Sequence, residues 1–171
     1  MRIRYSFMLG AALTTPAAFA ADMTLKVEIP RLNVAEYHKP YAAFWIEHTD
    51  QTFVRNLSVW YDVKKKDNGG TKWLKDVRQW WRKSGRDLQM PIDGVSGATR
   101  APGEQQLAFN GAKSGLDKLP AGDYVLVAEA SRESGGREVV RVPFAWPPKT
   151  VQTVQAKGEH ELGAVAVELK P

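Results

Sequence analysis

Alternating apolar and polar residues dominate the chain and predict β-strands. Residues 24–29 and 163–169 place an apolar side chain at every second position, which is the pattern of a strand with one buried face. The continuous apolar run 41–48 predicts a strand that is buried on both faces, and residues 57–63 predict another strand. Four strands are therefore visible from hydrophobic periodicity alone.

Further strands follow in the second half of the chain. Residues 123–131 and 138–146 flank a Ser-Gly-Gly turn, so they are predicted to pair as a hairpin. A short strand is predicted at 105–109, and Leu-Pro-Ala-Gly at 119–122 is typical of a turn. About seven or eight closely spaced strands indicate a mainly β, single-domain, two-sheet sandwich.

One segment has the periodicity of a helix. Leu74, Val77 and Trp81 recur at helical spacing, which predicts one inserted α-helix over residues 73–83. Because Trp81 continues this apolar face of the predicted helix, it is assigned to the core. The adjacent Trp80 would point roughly 100° away around the helix and be free to stack on a ligand.

The amino terminus has the pattern of a secretory signal. Two arginines in the first four residues precede a short apolar run at 5–13, and an Ala-x-Ala site ends at Ala20. The run is shorter than the roughly 20 residues that a membrane span needs. We predict a cleaved signal peptide at 1–20 and a periplasmic sandwich domain at 21–171; the alternative is an amphipathic first helix.

Composition excludes several classes of function. The chain has no cysteine, so it has no disulfide, thiolate nucleophile or iron–sulfur ligand set. The net charge is +5 with both signs interspersed, which does not indicate a nucleic-acid interface. The three histidines lack metal-ligand spacing, and there is no Gly-x-Ser-x-Gly elbow. Glu159 and Glu161 flank His160 in a predicted turn and are expected to be solvated.

A glycine-punctuated segment lies within a predicted loop at 90–103. Its residues are Asp93, Gly94, Val95, Ser96, Gly97, Ala98 and Thr99. Glycines let the backbone approach a ligand closely and expose N–H groups that can hold phosphate. The Thr99 hydroxyl could be modified, and Arg100 beside it could neutralise a phosphate. On these residues alone, an ordinary surface turn is the favoured interpretation.

The segment resembles the flavinylation motif of bacterial proteins that carry FMN on a threonine. That motif reads Asp, Gly, any residue, Ser or Thr, Gly, Ala, Ser or Thr, and every fixed position is matched. The resemblance implies that an exported flavin transferase cleaves FAD and transfers FMN to Thr99 as a phosphoester. It also implies that Asp93, Ser96 and the glycines are recognised by the transferase. The dedicated FMN-binding domain that often holds this motif is not recognisable in this sequence.

A wider resemblance covers most of the chain. Residues 41–60, the Trp80-Trp81 pair, the motif and the stretch 119–124 resemble a family of bacterial periplasmic proteins, domain-of-unknown-function family 2271. Its members resemble partners of flavin transferases and of membrane proteins with PepSY domains. The Pro-Ala-Gly-Asp-Tyr stretch also resembles the end of an immunoglobulin-like domain, which implies an immunoglobulin-like sandwich.

These resemblances imply a periplasmic electron-transfer carrier or redox subunit rather than a stand-alone enzyme. Its tethered flavin would exchange electrons with a membrane redox partner, such as one of PepSY type. Cations near the flavin would stabilise its negatively charged reduced form, and Arg78, Arg82 and Arg100 are the candidates; Trp80 is the candidate for stacking. Two alternatives stay open: a flavin-free sandwich that binds a protein or glycan, and a ligand-binding subunit of a sensor.

Overall fold

Nine β-strands form the framework of the part of the chain that the structure describes. The computed structural model describes residues 21–171, so the predicted signal peptide lies outside the described residues. The strands are β1 (Asp22–Ile29), β2 (Tyr41–His48), β3 (Phe53–Tyr61), β4 (Ser96–Ala98), β5 (Gly103–Phe109), β6 (Gly122–Ser131), β7 (Arg137–Trp146), β8 (Gln152–Lys157) and β9 (Ala164–Lys170). Two short α-helices, α1 (Arg78–Lys83) and α2 (Gly111–Ser114), and three 3₁₀ segments complete the secondary structure of residues 21–171.

The strands form two sheets that pack face to face. One sheet has the order β5-β1-β9-β8, and the other has the order β4-β3-β2-β6-β7. Neighbours pair antiparallel except β3 and β4, which are parallel. The predicted mainly β, two-sheet sandwich is therefore confirmed, as is the β6–β7 hairpin.

The main core lies between the two sheets and follows from strand alternation. In β1 every second side chain, from Met23 to Ile29, is buried, while the intervening ones face outward. On the inner face of the five-stranded sheet, the rings of Phe44 on β2 and Trp60 on the neighbouring β3 meet edge to face, with centroids 4.7 Å apart. Alternation thus determines which side chains enter the core.

A second hydrophobic cluster covers the outer face of the five-stranded sheet. It explains why β2 is buried on both faces: Phe44 points between the sheets and Trp45 points to the outer face. The segment that connects β3 to β4 covers that face with Leu74, Val77 and Trp80. This connection therefore forms a third layer over one sheet.

The predicted single helix over 73–83 is wrong. The structure has 3₁₀ turns over Lys66–Asp76, with left-handed residues inside them, and α1 begins only at Arg78. The buried carboxylate of Glu129 accepts the backbone N–H groups of Gln79 and Trp80 at 3.0 and 2.8 Å. Because a carboxylate stabilises exposed N–H groups at a helix start, this contact from β6 determines where α1 begins.

The shorter helix reverses the predicted roles of two tryptophans. Trp80 is fully buried, and its indole N–H donates to Asn56 Oδ1 at 2.8 Å. Trp81 is only partly buried at the edge of the outer cluster. The prediction that Trp80 is free to stack on a ligand is therefore wrong, because periodicity counted from Leu74 does not continue through the break at Val77.

The turn before β6 is stabilised by a tyrosine corner. The Tyr124 hydroxyl donates to the carbonyl of Pro120, four residues earlier, at 2.9 Å. This contact is a recurring feature of immunoglobulin-like sandwiches, in which it fixes the chain at the start of a strand. The first and last residues of the Pro-Ala-Gly-Asp-Tyr pattern in the sequence make this contact.

Candidate functional site

The first half of the motif is a tight turn closed by Ser96. The Ser96 N–H donates to the Ile92 carbonyl at 2.8 Å, and the Ile92 N–H donates to the Ser96 hydroxyl at 2.8 Å. Gly94 has φ of 70°, a left-handed conformation that favours glycine. Asp93 and Gly94 lie exposed at the tip of this turn. The Ser96 hydroxyl therefore has a structural role.

The second half of the motif is a strand at a sheet edge. Ser96–Ala98 pairs in parallel with β3, and Gly97 lies beside the ring of Trp60. A Cβ at Gly97 would lie 3.4 Å from Trp60 Cδ1, which is an ordinary contact. The predicted loop at 90–103 thus contains β4, whose pairing with a strand more than thirty residues earlier is not visible in the local sequence.

Thr99 follows β4 directly and lines a cavity of about 640 Å³. Its N–H donates to the Tyr61 carbonyl at 3.3 Å, and the residue is half-buried. Ala98 beside it is exposed. Of the two motif hydroxyls, the one on Ser96 accepts a backbone N–H within the turn, whereas Thr99 lines the cavity.

Three segments far apart in sequence form the rest of the cavity wall. They are residues 37–41 at the start of β2, residues 62–78 after β3, and residues 131–137 at the β6–β7 turn. A cavity of several hundred Å³ is in the usual range for small-molecule and cofactor sites. Sequence reasoning missed the first and third segments, because neither carries a recognisable motif.

Three aromatic residues, Tyr37, Tyr41 and Trp73, line the cavity among more numerous charged residues. Tyr41 packs edge to face on Tyr61, with ring centroids 6.4 Å apart. Trp73 also lines the cavity, and it is 50% exposed although it is a large apolar residue. A half-exposed tryptophan on a concave wall offers an apolar face to a ligand.

The Tyr37 hydroxyl is a buried polar atom of the same wall. Among the described residues it has no hydrogen-bond partner. Burial raises the pKa of Tyr37, against the opposing charge of Arg132, so its phenol is neutral and can donate a hydrogen bond. Buried polar atoms are normally paired, so an unpaired one in a cavity wall indicates a place for a ligand's polar atom.

Two arginines of the wall are held by buried acids. Arg132 binds Glu161 at 2.9 and 3.1 Å, and Arg137 binds Glu129 at 2.9 Å. Glu161 also accepts the Gly136 N–H at 2.8 Å and is only 4% exposed. The prediction that Glu161 is solvated is therefore wrong, because the β8–β9 loop packs onto the β6–β7 turn; Glu159 is exposed as expected.

The three candidate cations occupy different places. Arg78 lines the cavity. Arg100 is exposed, and its guanidinium carbon lies 5.5 Å from the centre of the Trp60 ring. Arg82 is not among the lining residues. The sequence missed Lys39 and Lys65, which line the cavity together with Arg78 and three acids, Asp62, Asp76 and Glu133.

The histidines do not form a metal site in residues 21–171, where no group of three or more suitable ligands is found. His38 contacts Glu36 and Glu133, at 3.2 and 3.7 Å. His48 packs against the ring of Tyr124 at 5.2 Å, and His160 is exposed.

Together, the fold and site define a β-sandwich domain with a short edge strand beside a cavity that is lined by aromatic and charged residues. The family model described as predicted periplasmic protein (DUF2271) matches residues 22–164, so the chain belongs to that family and is assigned to the periplasm. No curated protein and no solved structure matches it. Over residues 21–171, no helix has the length and apolar character needed to cross a membrane.

Proposed function

We propose that this protein is a periplasmic flavoprotein that carries FMN covalently on Thr99 and transfers electrons to or from a membrane redox partner. The observation that carries the proposal is the complete motif at 93–99, with its last hydroxyl at a cavity wall. The proposal identifies the modifying partner as an exported flavin transferase.

The geometry of the motif supports Thr99 rather than Ser96 as the acceptor. The Ser96 hydroxyl accepts the Ile92 N–H inside the turn, so it contributes to the turn's structure. Asp93, Gly94 and Ala98 are exposed near Thr99, where a transferase could contact them. The turn tip and edge strand therefore form an accessible recognition element around the acceptor hydroxyl.

The residues present fit a flavin. Thr99 would hold the phosphate end, and the aromatic wall with its unpaired Tyr37 hydroxyl suits a planar ring with polar edges. When bound, the flavin supplies one- and two-electron redox chemistry. The protein's own residues position it, partly shield it from water, and set the local charge through Lys39, Lys65 and Arg78.

A covalent bond also has a physical advantage in the periplasm. A cofactor held by affinity alone stays bound only while its free concentration is well above its dissociation constant. A phosphoester tether sets the local concentration by geometry and removes that requirement. Covalent attachment is therefore suited to a compartment where free flavin is dilute.

The test is modification of the secreted chain. The full chain is co-expressed with an exported flavin transferase, and the mature protein is examined by intact mass and visible absorbance. We expect one added FMN and a yellow protein, and we expect Thr99→Val to lose both.

The matched control is Thr153→Val, which changes an exposed threonine on β8. It should keep the full modification, and peptide mapping should locate FMN at Thr99. An unmodified wild-type protein would refute the proposal and favour a flavin-free binding module. Modification at another residue would refute the assignment of Thr99.

A further inference from the structure

We infer that the 640 Å³ cavity beside Thr99 is the binding site for the isoalloxazine ring of the FMN attached there, with Trp73 and Tyr37 as its principal contacts. The inference rests on the proposed function and extends it. It gives the tethered ring a fixed site within the fold, whereas the motif alone is equally compatible with a ring that moves freely in solvent.

Thr99 itself belongs to the cavity wall, so a group esterified to its hydroxyl starts beside the site. A tether of this kind raises the local concentration of the ring at the nearest concave surface. A second cavity, of about 360 Å³, is lined by Gly94 on the motif's turn but not by Thr99.

Trp73 contributes exposed apolar surface to the cavity wall. Half of this side chain faces solvent, although every other tryptophan in residues 21–171 is buried or partly buried. A flavin ring against the indole would remove apolar surface of both groups from water and add an aromatic contact. Trp73 therefore becomes less exposed when the cavity is filled by a planar aromatic group.

The Tyr37 hydroxyl offers a hydrogen bond to the ring. It is buried without a partner in residues 21–171, which costs free energy in the unmodified protein. The polar edge of an isoalloxazine ring carries carbonyl oxygens and ring nitrogens that can accept its hydrogen. The ring would thus satisfy a donor that the protein leaves unpaired.

The charges of the cavity wall favour binding of the isoalloxazine ring over binding of a free anion. Arg132 and Arg137 are already bound to buried glutamates. The remaining cations, Lys39, Lys65 and Arg78, are matched in number by the acids Asp62, Asp76 and Glu133. A wall with balanced charge does not attract a polyanion from solution, but it accommodates an uncharged oxidised ring.

The experiment measures how accessible the attached flavin is to iodide. The flavinylated full-length mature protein is prepared as above, and its flavin fluorescence is quenched with iodide before and after protease digestion. A ring that spends about nine-tenths of its time in the cavity should be quenched about tenfold less efficiently in the folded protein than in the digest.

Two variants locate the site. Trp73→Ala removes the exposed indole, and Tyr37→Phe removes only the unpaired hydroxyl. Each should raise the iodide-accessible fraction about two- to fivefold from its starting value of about one-tenth, because one aromatic contact or one hydrogen bond changes the bound-to-free ratio about two- to tenfold. The matched control is Val151→Ala, which shortens a 69% exposed apolar side chain outside the cavity and should change nothing.

Thermal denaturation distinguishes a ligand contact of Tyr37 from a purely structural role of this residue. Without flavin, Tyr37→Phe should melt at the same temperature as wild type or higher, because the lost hydroxyl had no partner. With flavin attached, the same variant should expose the ring. Exposure of the ring without any loss of stability in the flavin-free protein is specific to a ligand contact.

The experiments distinguish failure of this inference from failure of the proposed function. Absence of FMN on Thr99 would overturn both this inference and the proposed function. A modified protein whose flavin is as accessible folded as digested would overturn only the inference. A protected ring that neither Trp73→Ala nor Tyr37→Phe exposes would also overturn it, because the ring would then lie elsewhere.

Discussion

The carboxylate of Glu138 on β7 organises the loop between β8 and β9. It accepts four consecutive backbone N–H groups, from Glu159, His160, Glu161 and Leu162, at distances of 2.6 to 3.1 Å. A single carboxylate that accepts four N–H donors is a strong, charge-assisted contact. We predict that Glu138→Gln destabilises the protein, and that the loss depends on pH.

The size of the effect follows from which donors water can reach after the substitution. The N–H groups of Glu159 and His160 belong to exposed residues and can be hydrated. Those of Glu161 and Leu162 belong to residues that are 4% and 1% exposed. At about 1–2 kcal/mol for each poorly satisfied buried donor, Glu138→Gln should lower the unfolding free energy by about 2–4 kcal/mol. This corresponds to a melting temperature about 10 °C lower for a domain of this size.

The pH dependence has a definite sign. Burial alone would raise the pKa of Glu138, but the four N–H donors together outweigh it and lower the pKa below its ordinary value of 4.5. A carboxyl whose pKa is lower in the folded state stabilises the protein above the unfolded pKa, and this contribution is lost as pH falls through the folded value. The gap between wild type and Glu138→Gln should therefore be full at neutral pH and shrink in acid.

Urea denaturation at several pH values measures this gap. The matched control is Glu159→Gln, which removes a carboxylate from the same loop whose side chain is 85% exposed. It should change the unfolding free energy by less than about 0.5 kcal/mol. The reasoning fails if Glu138→Gln costs no more than Glu159→Gln, or if its cost is the same at pH 7 and at about pH 3.

Two further predictions concern the motif and the outer cluster. Gly97→Ala should leave the melting temperature within about 2 °C of wild type, because the added Cβ meets Trp60 at an ordinary distance. If flavinylation is lost while the fold stays intact, the loss reflects recognition by the transferase. A strongly lowered melting temperature would contradict the geometry. Glu129→Gln should cost about 2–3 kcal/mol in urea denaturation, because the buried carboxylate binds Arg137 and the two N–H groups that begin α1. A cost below about 0.5 kcal/mol would contradict that role.

Strand periodicity made most of the sandwich predictable. Apolar residues alternate in β1 and β9, so burial of one face follows from the covalent geometry of an extended chain. The β6–β7 hairpin was equally visible, because its Gly-rich turn separates two strong strands. β8 was not predicted, since its exposed positions alternate with half-buried ones such as Gln152, and the pattern has little apolar contrast.

The third layer was predicted less well. Helical spacing from Leu74 to Trp81 indicated a single helix, but the structure breaks it at Val77. The decisive contact is the Glu129 carboxylate on β6, about fifty residues later in the chain. A local pattern carries no information about such a partner, so it also reversed the assignments of Trp80 and Trp81.

By itself, the sequence determined the strand faces, the absence of cysteine chemistry and the motif from which Thr99 is proposed as an acceptor. Only the tertiary structure decided that Thr99 opens on a cavity and that Tyr37 and Trp73 line it. The physical reason is distance along the chain: alternation acts between neighbouring residues, whereas the cavity wall is built from segments separated by dozens of residues. Such walls exist only once the sheets have packed and the connecting segments have folded over them.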